Sequence, residues 1–323
     1  MTQLEDELAA AVRIIEEAEL LALACHVTPD GDALGSMLAM HHLALSQDRS
    51  SIASWPDPFI VANHYRSVPG VDLASPSHCF PATPAVMLTF DCGSLGRLNE
   101  LGTPARAAEQ LIVVDHHATN DRYGTVNAID VDAAATAVVV REIARRLDWP
   151  LTREAAWCLY TGIVTDTGRF QYASTTPSVF ALAQELVEFD LPVARISREL
   201  FDEHRFSYLR LAARVLERAE LDEDASFVAS WVSQQDLDDF GVGYEEVEGL
   251  IDWLRTTSEA EVACLCKEAV DGVRVSLRAR ERADVGALAI SLGGGGHRLA
   301  AGFTMQAPIA EVLRCVRNAL TAG

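Results

Sequence analysis

The sequence lacks the features that mark membrane, secreted and cysteine-dependent proteins. No run approaches the roughly 18 apolar residues that a membrane-spanning helix needs, and the first residues, MTQLEDE, are acidic where a signal peptide would be basic. The seven cysteines include no C-x-x-C pair and lie mostly in apolar runs, as buried thiols in a reducing compartment do. We therefore expect a cytoplasmic protein with no membrane partner and no cysteine-based metal or redox site.

Basic residues are also scarce. The chain has 26 Lys and Arg against 47 Asp and Glu, which gives a formal net charge of −21. Proteins that bind long nucleic acids gain affinity by releasing counterions through many basic contacts, and this composition argues against that mode of binding. An anionic substrate should be small and held by a local basic patch or by metal ions.

The length of 323 residues suits two domains, and the hydrophobic pattern predicts an α/β fold in each. Short apolar runs alternate with amphipathic helices in the N-terminal part, which is typical of a mainly parallel sheet with flanking helices. We place this domain at residues 1–190, a helical linker at 191–220 and a smaller C-terminal α/β domain at 221–323.

Polar side chains follow several of the predicted strands and helices. The apolar run 111–114 leads directly into Asp-His-His, the run 20–25 into His26, and the run 86–90 into Asp91. The carboxyl ends of parallel strands share one edge of a sheet, which is where ligands bind in such folds. For the loop 26–32, a helix cap with an incidental histidine is the alternative interpretation. The candidate metal ligands are His26, Asp30, Asp32, Asp91, His116 and Asp166.

These six ligands are oxygen or imidazole donors, and none is sulfur. The mixture suits Mn²⁺, with Mg²⁺, Co²⁺ or Zn²⁺ as alternatives. Six protein ligands are many for one ion that must also bind substrate, but they suit two ions that share a bridging carboxylate. Two such ions can activate a water and stabilise both oxygens of an in-line phosphoryl displacement.

A second constellation lies near the C-terminus. The strand predicted at 273–280 alternates apolar and polar residues, and four glycines at 293–296 precede a histidine and an arginine. Glycines let backbone N–H groups approach an anion closely, so we expect a phosphate-binding site. A flexible linker for the glycines and a solvated strand face for the arginines are the alternatives. The candidate substrate-binding residues are Arg278, Arg280, Gly294, Gly295, Gly296, His297 and Arg298.

Taken together, these motifs resemble a known family. HVTPDGDALGS at 26–36, Asp91, DHH at 115–117 and TDTG at 165–168 are similar to the four motifs of the DHH phosphoesterases, in the expected order. GGGGH at 293–297 resembles the signature of the DHHA1 domain. The chain looks most like the branch of nano-RNases and pAp-phosphatases, which includes cyclic-di-AMP phosphodiesterases.

The resemblance implies a two-domain hydrolase, often a homodimer, with its active site in a cleft between two lobes. One metal would be held by His26, Asp30 and Asp91, and the other by Asp32, Asp91, His116 and Asp166, with Asp91 as the bridge. The catalytic residues would be Asp115, which orients the site, and His117, which contacts the scissile phosphate or assists proton transfer. Arg278, His297 and Arg298 would hold the far phosphate or base of the substrate.

The expected activity is Mn²⁺-dependent release of nucleoside monophosphates from very short RNAs, pAp, or linear and cyclic dinucleotides. Three alternatives stay open. An inorganic pyrophosphatase should carry a different second domain without GGGGH, and a single-strand exonuclease should be a longer chain. A nucleotide-sensing module that binds without hydrolysis would not need the complete set of ligands.

Overall fold

The computed structural model describes residues 2–270 and 272–321. The chain divides into two compact units, residues 1–203 and 204–323. The stretch predicted as a linker, 191–220, is largely helical and falls partly in each unit: Leu191, Ile196 and Leu200 are buried in the core of the first unit, and the helix that begins at Phe206 packs in the second.

The first unit contains seven helices and five strands among its described residues. In chain order they are α1 (Gln3–Glu17), β1 (Leu20–Cys25), α2 (Gly31–Ser46), β2 (Ser50–Ser54), β3 (Val86–Phe90), α3 (Gly102–Ala107), β4 (Gln110–Asp115), β5 (Val126–Ile129), α4 (Thr136–Arg146), α5 (Arg153–Asp166), α6 (Pro177–Val187) and α7 (Val193–Ser197). A π-helical turn, Arg198–Asp202, continues α7, and short 3₁₀ turns lie at Asn63–Tyr65, Val71–Leu73, Ser77–Cys79 and Leu95–Leu101.

The five strands form one parallel sheet in the order β2-β1-β3-β4-β5. In this doubly wound order the direction of strand progression reverses between β1 and β3. Open α/β sheets bind ligands at that reversal, beyond the carboxyl ends of the strands. The predicted parallel sheet with flanking helices is confirmed. Strand β5 was not predicted, because four residues that include an asparagine are too short to show a pattern.

Both faces of the sheet are buried, which explains why its strands are apolar throughout. Leu21 and Leu23 of β1 face the larger core, which is covered by α1, α2, α4 and α5, while Ala22 and Ala24 face a smaller core beside α3. Helices α2 and α5 lie in close contact at Gly162, where a Cβ atom would come within 2.6 Å of Asp32 Oδ1. A glycine is therefore required at this helix crossing.

The second unit contains five helices and six strands among its described residues. They are α8 (Phe206–Glu217), β6 (Glu220–Asp222), β7 (Phe227–Val232), α9 (Gln234–Phe240), α10 (Leu250–Leu254), β8 (Val262–Ala269), β9 (Gly272–Ala279), α11 (Val285–Ser291), β10 (Gly295–His297), β11 (Ala300–Met305) and α12 (Ile309–Thr321). A 3₁₀ turn spans Tyr244–Glu246.

These strands form a mixed sheet in the order β10-β11-β9-β8-β7-β6, in which only β7 and β8 pair in parallel. Helices α11 and α12 pack on one face and α8, α9 and α10 on the other. The predicted alternation in β9 is confirmed: Val273, Val275 and Leu277 are buried, and the intervening residues are half-buried. The second α/β domain is therefore confirmed as a fold.

The glycine run ends in a strand, and a flexible linker there is the wrong interpretation. Gly295 and Gly296 belong to β10, which pairs antiparallel with β11. A Cβ atom on Gly296 would come within 2.6 Å of the Ala300 carbonyl oxygen, and its φ of 136° favours glycine. A run of glycines shows neither the helical nor the strand pattern of apolar residues, which is why the sequence suggested a loop there.

Two ion pairs in the second unit involve buried groups. Arg218 binds Asp236 through two nitrogens, at 2.6 Å and 2.8 Å, and Asp236 also completes a capping box with Ser233. Lys267 of β8 is 3% exposed, and its ammonium donates to the half-exposed carboxylate of Glu248. Among the described residues, no helix combines the length and the apolar character needed to cross a bilayer.

Candidate active site

Polar side chains follow three neighbouring strands at the carboxyl edge of the first sheet. Phe90, the last residue of β3, lies opposite Cys25 of β1 and Val114 of β4. The positions that come next along these strands therefore lie side by side at the strand-order reversal; they are His26, Asp91 and Asp115.

The first cluster joins the end of β1 to the start of α2. His26 Nε2 lies 3.6 Å from Asp30 Oδ2 and 3.7 Å from Asp91 Oδ2. Asp30 is the N-cap of α2, and its other oxygen accepts from the backbone N–H groups of Asp32 and Ala33. The helix-cap interpretation of this loop is thus correct for one oxygen of Asp30, and the second oxygen remains available to a cation.

The second cluster is centred on His116, which follows β4. Its Nε2 lies 3.2 Å from Asp166 Oδ2, 3.6 Å from Asp91 Oδ1 and 3.9 Å from Asp32 Oδ2. Asp166 is the last residue of α5, where a carboxylate opposes the helix dipole unless a positive group lies beside it. The histidine and the three carboxylates together can surround a cation.

Asp91 belongs to both clusters. Its Oδ2 lies beside His26 and its Oδ1 beside His116, so the two oxygens point to different groups of ligands. The residue has a φ of 53°, in the left-handed region, which aspartate and asparagine adopt more readily than other non-glycine residues. Thr136 Oγ1 donates to Asp91 Oδ1 at 2.9 Å and fixes the carboxylate from the start of α4.

Asp32 is fully buried and is held by two helices. Its Oδ1 accepts from the hydroxyl of Ser36 in α2 and from the backbone N–H of Ala137 in α4, both at 3.0 Å. Its Oδ2 accepts from the backbone N–H of Thr136. The unpaired N–H groups at the first turn of α4 therefore stabilise the negative charge of Asp32.

Asp115 acts on its neighbours through hydrogen bonds. Its Oδ1 accepts from the backbone N–H of His116 at 2.7 Å and from His117 Nδ1 at 2.8 Å, and its Oδ2 accepts from the side-chain amide of Asn120. His117 Nδ1 also lies 3.5 Å from Asp91 Oδ1. Asp115 thus fixes the orientation of the His117 ring beside the shared carboxylate.

The concentration of carboxylates makes this edge of the sheet attractive to positive charge. Burial by itself lowers the pKa of His116. The hydrogen bond to Asp166 and the negative charges of Asp166 and Asp91 outweigh the effect of burial and raise the pKa of His116 to about 11. Burial raises the pKa of the Asp32 carboxyl well above its usual value, and the charge of Asp91 adds to this effect. A divalent cation would relieve the same repulsion.

The side chains present fit divalent metal ions. His26 Nε2 is a buried nitrogen with no hydrogen-bond partner in the part of the chain that the structure describes, and an orphaned buried nitrogen is costly unless a ligand binds it. In both histidines the other ring nitrogen is occupied: His26 Nδ1 lies 2.9 Å from the Val27 carbonyl oxygen and His116 Nδ1 lies 3.1 Å from that of Ala133. Such bonds orient metal-binding imidazoles and leave Nε2 for the ion.

The predicted substrate-binding residues all lie in the second unit, and the sheet aligns two of them. Ala300 of β11 lies opposite His297 of β10 on one side and Arg278 of β9 on the other. Residues directly opposite each other point to the same face of a sheet, so His297 and Arg278 share a face at two strand spacings, about 10 Å. Gly294 precedes β10 and approaches the backbone of β11.

All three predicted arginines donate to backbone carbonyls of the protein. The Arg278 guanidinium donates to the carbonyl of its neighbour Leu277 at 3.0 Å. The Arg298 guanidinium donates to the backbone carbonyls of Glu281 and Arg282, at 2.7 Å and 3.2 Å. Arg280 lies just beyond the end of β9 and donates to the Ser258 carbonyl at 3.2 Å. The contacts of Arg298 and Arg280 hold loops of the second unit together. Neither residue lies in the aligned set His297, Ala300 and Arg278 across β10, β11 and β9.

Three residues of the site were not predicted from the sequence: Ser36, Asn120 and Thr136. Ser36 lies within the first motif and Asn120 lies three residues after the Asp-His-His motif, so their closeness to the motifs was a signal that could have identified them. Their polar character alone does not separate them from ordinary surface residues. Thr136 follows a run of alanines and contacts Asp32 from 104 positions away. No local pattern shows such a contact.

Comparisons with known proteins identify a known domain in each unit of the chain. Residues 21–163 match the DHH family, N-terminal domain, and residues 224–322 match the DHHA1 domain. The chain is 33% identical over 321 residues to the bifunctional oligoribonuclease and PAP phosphatase NrnA of Thermus thermophilus, covering 93% of this chain and 90% of the relative. It is 25% identical over 300 residues to the protein of the same name from Bacillus subtilis, covering 91% and 92% of the two chains.

Solved structures agree in fold. The crystal structure of an exopolyphosphatase-related protein from Bacteroides fragilis superimposes with a TM-score of 0.88 at 23% identity, covering 98% of this chain and 96% of that one. RecJ from Thermus thermophilus superimposes with a TM-score of 0.57 at 13% identity, and this chain covers 55% of its length. With both domain matches and a relative similar along nearly its full length, the chain belongs to the DHH family of phosphoesterases and carries a C-terminal DHHA1 domain.

Proposed function

We propose that the protein is a two-metal phosphoesterase that releases nucleoside monophosphates from very short oligoribonucleotides and from pAp. The observation that supports it most is the position of Asp91, whose two oxygens lie beside different histidines, 3.7 Å from His26 Nε2 and 3.6 Å from His116 Nε2. A carboxylate in this position suits a bridge between two cations.

In this proposal one ion is held by His26, Asp30 and Asp91, and the other by Asp32, Asp91, His116 and Asp166. Mn²⁺ is the ion we favour, because imidazole and carboxylate donors occur together and no thiolate is present. When bound, two such ions supply a nucleophilic water at neutral pH and stabilise the charge that develops on the phosphoryl oxygens.

The remaining residues would orient the reacting groups. We assign Asp115 the task of holding the His117 ring, through the 2.8 Å bond to Nδ1, so that His117 contacts the scissile phosphate or passes a proton to the leaving oxygen. Asn120 restrains the same carboxylate from its other oxygen. Thr136 holds Asp91 and stabilises Asp32 from one helix terminus.

We assign recognition of the rest of the substrate to the second unit. Arg278 and His297 share a sheet face, and the glycines at 294–296 present backbone close to it. Arg298 and Arg280 are the less direct members of this proposed set, because their guanidinium groups bind carbonyls of distant loop segments, whereas Arg278 donates to the carbonyl of the adjacent Leu277.

The substrate class follows from the relatives and from the charge. Both NrnA relatives are named as oligoribonucleases and PAP phosphatases, and each is covered to about nine-tenths of its length. A net charge of −21 suits short substrates better than long strands. The second domain, which matches DHHA1, speaks against a pyrophosphatase, and the 55% coverage of RecJ fits a chain shorter than that exonuclease.

A product assay with Mn²⁺ tests the proposal. The wild-type protein and an Asp91→Asn variant would be incubated with pAp, pApA, cyclic-di-AMP and a longer RNA, and the monophosphates counted by chromatography. Asparagine tolerates the left-handed backbone at this position, so the variant should fold. Its rate should fall by about 100- to 1000-fold or more, since the loss of one essential electrostatic group costs about 100- to 1000-fold and Asp91 is proposed to serve two ions. Retained turnover in a folded Asp91→Asn protein would rule out the bridging role.

A further inference from the structure

Arg97 lies beside the first ligand cluster and plays no part in the interactions described above. It belongs to the 3₁₀ turn Leu95–Leu101, which follows Asp91 in the chain. Its carbonyl oxygen accepts the backbone N–H of Val27 at 3.0 Å, and Val27 is the residue after His26. This bond ties the backbone of Arg97 to the loop that carries the first ligands.

The guanidinium acts on the ends of two strands. Its positive charge lowers the pKa of His26 and of Cys25 at the end of β1, and of Cys92 after β3, although burial has the largest effect on each of the three. The placement of Arg97 follows from the backbone: its 3₁₀ turn begins four residues after Asp91, contacts β1 and is bonded to the residue that follows His26. Arg97 therefore belongs to the loops at the carboxyl edge of the sheet, at the reversal between β1 and β3.

The same guanidinium is not engaged by the protein. Within residues 2–270 and 272–321 it forms no ion pair and no hydrogen bond, and the residue is exposed. Several other arginines of this unit are paired with acids; for example, Arg122 lies 3.6 Å from Glu7, and Arg169 lies 3.3 Å from Asp202. Because the Arg97 guanidinium is bound to none of the described acids, its charge remains available to an anion at this edge of the sheet.

The charge balance of the site gives such a group a use. The four carboxylates proposed as ligands, those of Asp30, Asp32, Asp91 and Asp166, would together cancel two divalent ions. The phosphate of a substrate then adds negative charge, which increases as the new bond to phosphorus forms. A guanidinium is well suited to share it, because its planar N–H groups match phosphate oxygens and it keeps its charge at every relevant pH.

We propose that Arg97 binds a non-bridging oxygen of the substrate phosphate at the metal centre, on the side of His26. The inference rests on the proposed phosphoesterase function and adds to it a substrate contact within the first unit. It makes Arg97 a binding residue for the reacting phosphate, distinct from the proposed ligands and from the second unit.

The test compares Arg97→Gln and Arg97→Lys with a matched control, Arg106→Gln. Arg106 is an exposed arginine of the nearby helix α3 whose guanidinium donates only to the Gly102 carbonyl one turn away, so its loss makes the same change in charge. The direct measurement is calorimetric binding of inorganic phosphate to the Mn²⁺-loaded proteins. Steady-state kinetics with pAp and pApA, Mn²⁺ affinity and Tm are measured in parallel.

For Arg97→Gln we expect phosphate binding and kcat/KM to fall about 10- to 100-fold, the range for losing a hydrogen bond between charged groups. Arg97→Lys should retain part of both, and Arg106→Gln should match the wild type. Mn²⁺ affinity and Tm should not change, because the side chain holds no ligand and no structural contact.

Phosphate binding by Arg97→Gln equal to that of the wild type would overturn the inference. So would a loss of phosphate binding explained by weaker Mn²⁺ binding or by a lower Tm. If the wild type hydrolyses no nucleotide, the proposed function fails, yet phosphate binding to the wild type and the variants still decides the role of Arg97.

Discussion

The hydroxyl of Thr136 controls the shared carboxylate, and its removal gives a measurable loss. Thr136 is fully buried, and its Oγ1 donates to Asp91 Oδ1 at 2.9 Å. In Thr136→Val a methyl group replaces the hydroxyl at nearly constant volume, so the packing of α4 is kept. The backbone N–H of residue 136 still donates to Asp32. The substitution therefore isolates one hydrogen bond.

A hydrogen bond to a charged acceptor contributes about 1.5–3 kcal/mol, which corresponds to roughly a 10- to 150-fold change in an equilibrium constant. Part of this energy would be recovered by reorientation of Asp91, so we expect the Mn²⁺ affinity of Thr136→Val to fall about 10- to 100-fold, as for other residues that orient metal ligands. Excess Mn²⁺ should restore much of the lost hydrolysis.

The assay is a calorimetric Mn²⁺ titration of the wild type, Thr136→Val and Thr136→Ser, together with hydrolysis of pApA at increasing Mn²⁺. Serine keeps the donor and loses only a methyl group, so Thr136→Ser should bind Mn²⁺ nearly as the wild type does. The reasoning fails if Thr136→Val binds Mn²⁺ with wild-type affinity. It also fails if the serine variant is as impaired as the valine variant, because packing and not the hydroxyl would then be responsible.

Two further predictions concern stability. Gly162→Ala should destabilise the first unit by about 1–3 kcal/mol, the usual cost of overpacking, because the added Cβ would meet Asp32 Oδ1 at 2.6 Å. The control is Gly96→Ala, which has open space around it and should change the free energy of unfolding little in the same denaturant titration. Burial raises the pKa of Asp236, but the bidentate Arg218 outweighs it and lowers the pKa from 3.8 to about 2. The stabilisation is therefore complete above the unfolded-state value and is lost as pH falls towards 2, so the advantage of the wild type over Asp236→Asn in the free energy of unfolding should shrink by about 2 kcal/mol between pH 6 and pH 2. A constant difference between these two proteins would contradict it.

The main parts of the site could be predicted because they follow strands. His26 and Asp91 come directly after apolar runs and His116 one residue later, and the carboxyl ends of parallel strands necessarily meet at one edge. Asp166 was recognisable for a different reason: a carboxylate at the C-terminus of a helix is repelled by the helix dipole and needs a positive partner. Each of these signals lies within a few residues of the chain.

The contacts that hold the ligands could not be predicted, because they join segments far apart in the sequence. Thr136 reaches Asp32 across 104 positions, and Gly162 allows α5 to approach the same aspartate. The strand β10 was missed for a related reason: three residues that include two glycines have no preference for a strand until β11 lies beside them. Tertiary packing overrides local propensity at such places.

The buried Lys267, paired with Glu248, also gives the molecule a selective chemical reporter. Lys267 is the only lysine in the sequence, and its side chain is 3% exposed. Reagents that acylate amines need an accessible, uncharged nitrogen, so in the folded protein they have no lysine to modify. Acylation of Lys267 therefore requires the second unit to open, and its rate measures the free energy of that opening without any engineered label.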